Sequence, residues 1–258
     1  QAGENGVKDL KYYSSNDIKK YEPLLNAKNA LFSPTSGIID SHAYMQSLLK
    51  ISEDNGAIFS PLSIFLDAEF SLNKWTVKLK GNELYKITSN IVINAAGLDS
   101  VEISKKINSN IKIPEENFAK GEYLRYSGKA PFSHIIYPAL IPGKIMERAD
   151  ATPDLWGGLR FGPTLQYTKS KTDFNVSKNL INRFAPAIKK YFPELDEKKL
   201  TLDIAGIRPK IKTKNLELED FKFEWGINQG WLDIWGIESP GLTASLAIGE
   251  HVFNQVKQ

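Results

Sequence analysis

The 258-residue chain contains no cysteine. That excludes a disulfide, a thiolate nucleophile, a zinc–thiolate site and any cofactor tethered through sulfur. Histidine is nearly as scarce: His42, His134 and His251 are the three, none of them spaced i, i+4, so a metal site has few ligands to draw on. No run of about 18 apolar residues occurs, and the first residues lack the basic-then-apolar pattern of an export signal. Nothing therefore marks a membrane span or secretion, and the cytoplasm is the expected location. No two glycines stand two positions apart, so a G-x-G-x-x-G phosphate-binding turn cannot be hidden anywhere in the chain. The 33 basic and 30 acidic residues are interleaved, a balance too even for a nucleic-acid footprint. An apolar content of 41% is ordinary for a globular protein, and this length can bury the core of one or two domains.

Hydrophobic periodicity and breakers give the outline. A short helix is expected over 15–22, stopped before Pro23, and a second after Asp40-Ser41, with Tyr44, Leu48 and Ile51 on one face and Gly56 as its stop. Strands are expected over 57–59, 64–70, 75–80, 84–88 and 91–94. After Pro114 the composition turns aromatic, with extended segments at 123–126, 134–137 and 159–167 separated by Pro and Gly. The spacing of Leu180, Phe184, Ile188 and Tyr191 predicts a helix over 177–192 ended by Pro193. Strands follow over 200–211, 216–225 and 232–237, then a final helix.

Two small-residue junctions carry the chemical signal. Asn94-Ala95-Ala96-Gly97 follows the apolar run 91–93, and Glu238-Ser239-Pro240-Gly241-Leu242-Thr243-Ala244-Ser245 opens the last helix. Glycine permits close backbone approach, and a helix start offers unpaired N–H groups with positive dipole. Both junctions therefore read as places where backbone lies against a large flat ligand, with Ser239 and Pro240 suited to N-cap and first-turn positions.

Three further strings accompany them: Gly37-Ile38-Ile39-Asp40-Ser41-His42 before the first junction, and the stretch from Tyr126 to His134 and Ala205-Gly206-Ile207-Arg208-Pro209-Lys210 between the two. With these the chain resembles the FAD-dependent oxidoreductases of the D-amino-acid-oxidase superfamily, and within it the L-2-hydroxyglutarate dehydrogenase/oxidase branch, over residues 5–252. The resemblance implies an α/β (α+β) architecture: an incomplete FAD-binding layer, 37–113 and 226–258, and a mainly antiparallel substrate-binding sheet with helices, 1–36 and 114–225. It implies FAD as cofactor, held at Ala95, Ala96 and Gly97 and at Ser239, Pro240, Gly241, Leu242 and Thr243. Arg208 is the expected anchor of the substrate carboxylate, since a guanidinium matches it with two parallel bonds, and Lys210 the partner of a second one. His42 and His134 are the candidates to accept the hydroxyl proton, with His42 slightly favoured, while His251 is expected to be structural. Asp150 stands where relatives in this branch carry histidine, and 144–149 departs from their glycine-rich pattern.

Without the phosphate-binding turn, the chain reads as the C-terminal part of a longer oxidoreductase. The expected reaction is oxidation of an L-2-hydroxy acid, 2-hydroxyglutarate first, to the 2-oxo acid. Glycerol-3-phosphate or an amino acid is an alternative substrate. A split or inactive product that needs a separate nucleotide-binding chain is the alternative from another class, and a carboxylate-binding module without redox chemistry ranks last. No metal and no nucleic acid is expected as a partner, and the electron acceptor is a possible route to membrane association.

Overall fold

The computed structural model describes residues 2–4, 6–107, 112–139, 149–212, 220–226 and 228–257. In chain order the elements are β1 (Lys11–Ser14), α1 (Ser15–Tyr21), β2 (Asn29–Phe32), α2 (Ser41–Asp54), β3 (Ile64–Ser71), β4 (Lys74–Lys80), β5 (Leu84–Ser89), β6 (Val92–Asn94) and α3 (Ser100–Ile107). They continue with β7 (Glu115–Tyr126), β8 (Ala151–Pro153), β9 (Leu159–Phe161), β10 (Gln166–Thr168), α4 (Leu180–Tyr191), β11 (Leu200–Lys212), β12 (Lys222–Trp225), β13 (Trp231–Trp235) and α5 (Ser245–Val256).

The chain folds into two compact units, each assembled from separate stretches of sequence: Gln1–Gly56, Gly121–Leu165 and Phe174–Gly206 form the first, and Ala57–Lys120, Gln166–Asp173 and Ile207–Gln258 the second. Compactness groups some stretches otherwise than the expected division by role. Residues 37–56 cluster with the first unit, and 114–120, 166–173 and 207–225 with the second. The physical reason is that β7 and β11 are long strands that continue from one unit into the other, so a change of composition at Pro114 does not mark an edge of compactness.

In the first unit, β1 pairs antiparallel with β2, while the second half of β7 pairs with β9 and β9 with β8. Helix α4 supplies the core: Leu180, Phe184 and Ile188, spaced four apart, are fully buried, as are Leu124, Leu159 and Phe161 on the strands. Side chains at that spacing share one helix face, which is why the sequence pattern found this helix. Helix α1 starts at a capping box in which Ser14 and Asp17 exchange hydrogen bonds with each other's backbone.

In the second unit, β3, β4 and β5 form an antiparallel meander, and β12, β13 and β6 a second sheet in which β12 is antiparallel and β6 parallel to β13. Trp75 and Trp231, both buried, pack with ring centres 4.8 Å apart and planes tilted by 57°, and the Trp75 indole N–H donates to the Gln229 carbonyl. The first half of β7 pairs with β10 in this unit.

Several local expectations change. Residues 57–59 form no strand, with Ile58 almost fully exposed, and 134–137 contributes one isolated bridge from Ile136 to Ala151. The run 159–167 is broken between β9 and β10 at the turn through Gly162 and Pro163, where Gly162 sits at φ +144°. Of the expected strand 216–225, the part before 220 lies outside the described residues, and the rest is β12. Helix α3 and strands β1 and β2 carry little periodicity and were not expected; short elements are fixed by their neighbours more than by their own pattern.

Candidate functional site

The two glycine junctions leave the same end of one sheet. Strands β6 and β13 run parallel and adjacent, with Val92 opposite Trp231, Ile93 opposite Leu232 and Asn94 opposite Asp233. Neighbouring strands stand about 4.8 Å apart. The chain thus turns away through Ala95–Gly97 on one strand and through 236–243 on the next.

A buried polar network holds this end in place. Asp233, fully buried, accepts on Oδ1 from Asn94 Nδ2 at 2.7 Å and from the Trp231 indole at 3.0 Å, with the Ser104 hydroxyl 2.7 Å away. Asn94 Nδ2 also donates to the Ser100 carbonyl at 2.8 Å, and the Trp235 indole to Ser104 Oγ at 2.8 Å. Asn94 is therefore the tie between β6, β13 and the start of α3. It leaves Ala95, Ala96 and Gly97 exposed, with Gly97 in the left-handed region at φ +57°.

The second junction departs from expectation. Ser239 does not cap a helix: residues 239–244 form consecutive turns, and α5 begins at Ser245 after Ala244. The Gly241 amide closes back on the Glu238 carbonyl in a tight turn, the Pro240 carbonyl accepts from the Thr243 hydroxyl and the Ala244 amide, and the regular helix runs only from Ser245. Among the described residues the N–H groups of Leu242 and Thr243 have no acceptor, and both residues are exposed. Of the donors expected from Gly241 to Thr243, the Gly241 amide is taken by the Glu238 carbonyl, and those of Leu242 and Thr243 belong to a turn rather than to a helix terminus.

Arg208 and Lys210 lie two apart on β11, on one face of the strand, and both reach Glu238: Arg208 Nε stands 3.8 Å from one carboxylate oxygen and Lys210 makes an ion pair with the other. Lys210 also lines a small cleft with Gly97, Phe118, Ile211 and Gly236. The structure thus brings Gly97, Lys210, Arg208 and the turn after Glu238 to one locality of the second unit. Sequence reasoning missed Glu238 as a partner, although it heads the string that was singled out.

The two histidine candidates lie in the first unit. His42 is exposed on the first turn of α2, beyond the Asp40 N-cap that accepts from the Ala43 amide at 3.0 Å. His134 is differently placed. Its Nδ1 stands 2.7 Å from Glu22 Oε1, and its ring meets Tyr21 and Phe32 edge-on. Glu22 was not foreseen, because no local pattern joins two residues 112 positions apart. Asp150 is buried, its carbonyl accepting from the Gly162 amide. Tyr191 donates to the neighbouring Ala149 carbonyl at 2.7 Å, and burial, with the Asp150 charge adding to it, pushes the phenol well above the ordinary tyrosine range. His251 packs on Phe223 and pairs with Gln255 along α5. Among the described residues no cluster of three or more His, Asp or Glu could hold a metal ion, and no helix is long and apolar enough to cross a membrane.

The residues at the β6–β13 end fit the ring half of FAD. A Cβ added to Gly97 would meet nothing within 4 Å, so the surface above that turn is open. At Gly241 the same atom would lie 2.5 Å from Ile237 Cγ2 and 2.7 Å from the Glu238 carbonyl, so only glycine lets this turn close and point its amides outward. The diphosphate half has no G-x-G turn in this chain to receive it.

A parallel strand pair with glycine turns at one end, joined in the same chain to a β-meander and a largely antiparallel unit, is the architecture of two-unit flavin-dependent oxidoreductases. The chain belongs to the DAO family, FAD dependent oxidoreductase, whose model matches residues 1–255. It is similar to the mitochondrial L-2-hydroxyglutarate dehydrogenase of Arabidopsis thaliana, with 30% identity over 98% of this chain and 61% of the relative. It is also similar to the glycerol 3-phosphate dehydrogenase of Caloramator mitchellensis, 26% identical over 100% of this chain and 52% of that protein. Among solved structures, the FAD-bound L-α-glycerophosphate oxidase of Mycoplasma pneumoniae superposes with a TM-score of 0.81 at 19% identity, covering 97% of this chain and 65% of the other. The chain thus spans between half and two thirds of the length of these relatives.

Proposed function

We propose that this chain supplies the ring-facing and substrate-facing part of an FAD-dependent dehydrogenase or oxidase that converts an L-2-hydroxy acid, 2-hydroxyglutarate first, to the 2-oxo acid. The observation that carries the reading is the shared exit of the two glycine turns from adjacent parallel strands, with free amides at Leu242 and Thr243 in the turn after Glu238, the partner of two cations on β11. The named relatives support the substrate class, and the glycerol 3-phosphate relatives keep a phosphate-bearing alcohol as the alternative.

Each residue then has a stated task. The amides of Leu242 and Thr243 would be available to the ring of bound FAD, where preorganised donors would favour the negative charge of the reduced form. Arg208 receives the substrate carboxylate in a two-point pairing, and Lys210 neutralises a second carboxylate or a phosphate. The hydroxyl proton needs an acceptor, for which His42 and His134 remain the candidates. Bound FAD supplies the acceptor for the hydride that leaves the carbinol carbon, so the alcohol loses two electrons and two hydrogens in becoming the ketone. Asp150 and 144–149, where the chain departs from the branch, leave the choice of substrate to the measurement.

Helix α5 favours a second element of the reading. None of its residues is buried, although Leu246, Ile248, Val252 and Phe253 are apolar, and β6 is an edge strand among the described residues. We take a nucleotide-binding segment, on the same polypeptide or a separate one, to cover them. The test is a visible spectrum of the purified chain with and without added FAD, followed by anaerobic addition of L-2-hydroxyglutarate or glycerol-3-phosphate. Bleaching of bound flavin by the hydroxy acid, lost in Arg208→Ala, is the expected result. Flavin bound but bleached only by the phosphate ester selects the alternative substrate, and a chain that binds no flavin even with a nucleotide-binding partner overturns the assignment.

A further inference from the structure

Glu238 heads the turn that follows β13, and its carboxylate reaches back to β11. Lys210 makes an ion pair with one oxygen, while Arg208 Nε stands 3.8 Å from the other, too far for a hydrogen bond. All three residues belong to the second unit. The side chains of Lys210, Glu238 and Arg208 are only 14%, 18% and 21% exposed, so their charges are screened less than those of surface pairs. Glu116 borders the same small cleft as Lys210, but its Oε2 lies 3.2 Å from Lys105 and is answered there. One carboxylate thus faces two cations, and one unit of positive charge is left over. A ligand with a single negative charge completes that balance on Arg208 without disturbing Glu238. A second negative charge brought to Lys210 would face the Glu238 carboxylate across one ammonium, and like charges held together away from water repel.

We propose that Glu238 is a displaceable internal carboxylate: it holds Lys210 while the site is empty, and it is exchanged for the second acidic group of a dianionic ligand, a dicarboxylate or a phosphate ester. The inference rests on the function proposed above for the identity of the ligand, and on the ion cluster alone for the exchange. No covalent bond changes in it. A dianion that takes both cations leaves the cluster neutral with Glu238 in solvent, which its partial exposure allows. A monoanion that takes Arg208 leaves it neutral with Glu238 still on Lys210. The charge of the ligand is therefore read as the position of one side chain. Glu238 is a specificity-determining residue in this scheme, because the dianion must break an ion pair that the monoanion leaves intact.

The test reads the carboxylate directly. In carbon-13-labelled protein at about pH 8, where a carboxylate and the second ionisation of a phosphate ester are both complete, the Glu238 carboxyl signal is assigned through its own side-chain carbons. On titration with L-2-hydroxyglutarate or glycerol-3-phosphate it is expected to move to the position of a solvated glutamate, and with L-lactate at equal occupancy to stay where it was. Glu238→Gln keeps the shape and removes the charge. By calorimetry it is expected to tighten binding of the dianions by about tenfold or more and that of lactate by less than about threefold, since only the dianions meet a like charge on Lys210. A Glu238 signal unmoved by both dianions, or equal tightening for dianion and monoanion, overturns the proposal, and the wild-type spectra decide alone if the variant fails to fold. Displacement by glycerol-3-phosphate and not by 2-hydroxyglutarate keeps the exchange and overturns the hydroxy-acid reading. Bleaching of bound flavin by 2-hydroxyglutarate with Glu238 unmoved keeps that reading and overturns the exchange.

Discussion

Asn94 links more of the candidate site than any residue that faces it. Its side-chain amide donates to Asp233 and to the Ser100 carbonyl, and Asp233 is fully buried with Oδ2 lacking a partner among the described residues. Asn94→Ala removes those donors from a desolvated carboxylate and is expected to cost about 1–3 kcal/mol, read from urea unfolding. Asp233→Asn keeps the accepting oxygen and replaces only the oxygen that bonds nothing, so a loss below about 1 kcal/mol is expected, with Asp233→Leu far worse. Equal losses in Asn94→Ala and Asp233→Asn would mean that charge, not the acceptor, holds the network. Glu238 poses the other residue-scale question. It shares two cations that the proposed function gives to the substrate, so Glu238→Gln is expected to strengthen the thermal stabilisation by 2-hydroxyglutarate more than that by lactate. At this scale the sequence was readable where backbone chemistry is local. Gly97 and Gly241 announce themselves by their neighbours, whereas the carboxylates that orient His134, Arg208 and Lys210 come from distant positions with no spacing rule.

Among the elements, the last helix shows what local signals can and cannot decide. Ser239-Pro240 has helix-opening chemistry, yet the Gly241 amide returning to the Glu238 carbonyl takes the chain through turns, and α5 starts later. Helix α4 was legible because four buried side chains recur three or four residues apart; α3 was not, because its buried face is made of Ser100, Val101 and Ser104, with the serines tied to Asn94 and Asp233 rather than part of a hydrophobic stripe. The turn from β8 to β9 carries a pH dependence. Burial works to raise the Asp154 pKa, but the Gly158 and Trp156 amides, with the charges of Arg125 and Arg160, win and lower it. A carboxyl whose folded pKa is depressed stabilises the fold above its ordinary range, and that stability is lost as pH falls through the folded value. Stability measured from neutral pH to the acid side of the carboxylate range should therefore fall in the wild type, and Asp154→Asn should be less stable at neutrality and flatter in acid. Gly158→Ala belongs to the same turn: its Cβ would lie 2.4 Å from Asp154 Oδ2, so the variant should lose the turn at any pH, seen as susceptibility to cleavage near Trp156.

For the whole molecule, the class of protein was legible because its strings are short, local and ordered. Each unit is built from three separated segments, and β7 and β11 continue from one into the other, so no linker composition marks the change. Helix α5 gives the remaining argument. A helix that carries Leu246, Ile248, Val252 and Phe253 yet buries none of them gains little from packing in the chain alone, and its relatives are longer than this chain by more than a third of their length. Replacing the exposed Leu246 and Phe253 together by glutamine should then change the unfolding free energy of this chain by no more than about 0.5 kcal/mol per site, the usual range for surface positions. The same change should lower binding of a hydrophobic dye and concentration-dependent association, because the patch that drives both has been made polar. If a nucleotide-binding segment covers the helix, the variant should also lose flavin affinity in the covered protein while its own stability is preserved. A loss of several kcal/mol in the uncovered chain would instead place these side chains in a core of their own, and the reading of α5 as a surface awaiting a cover would fall.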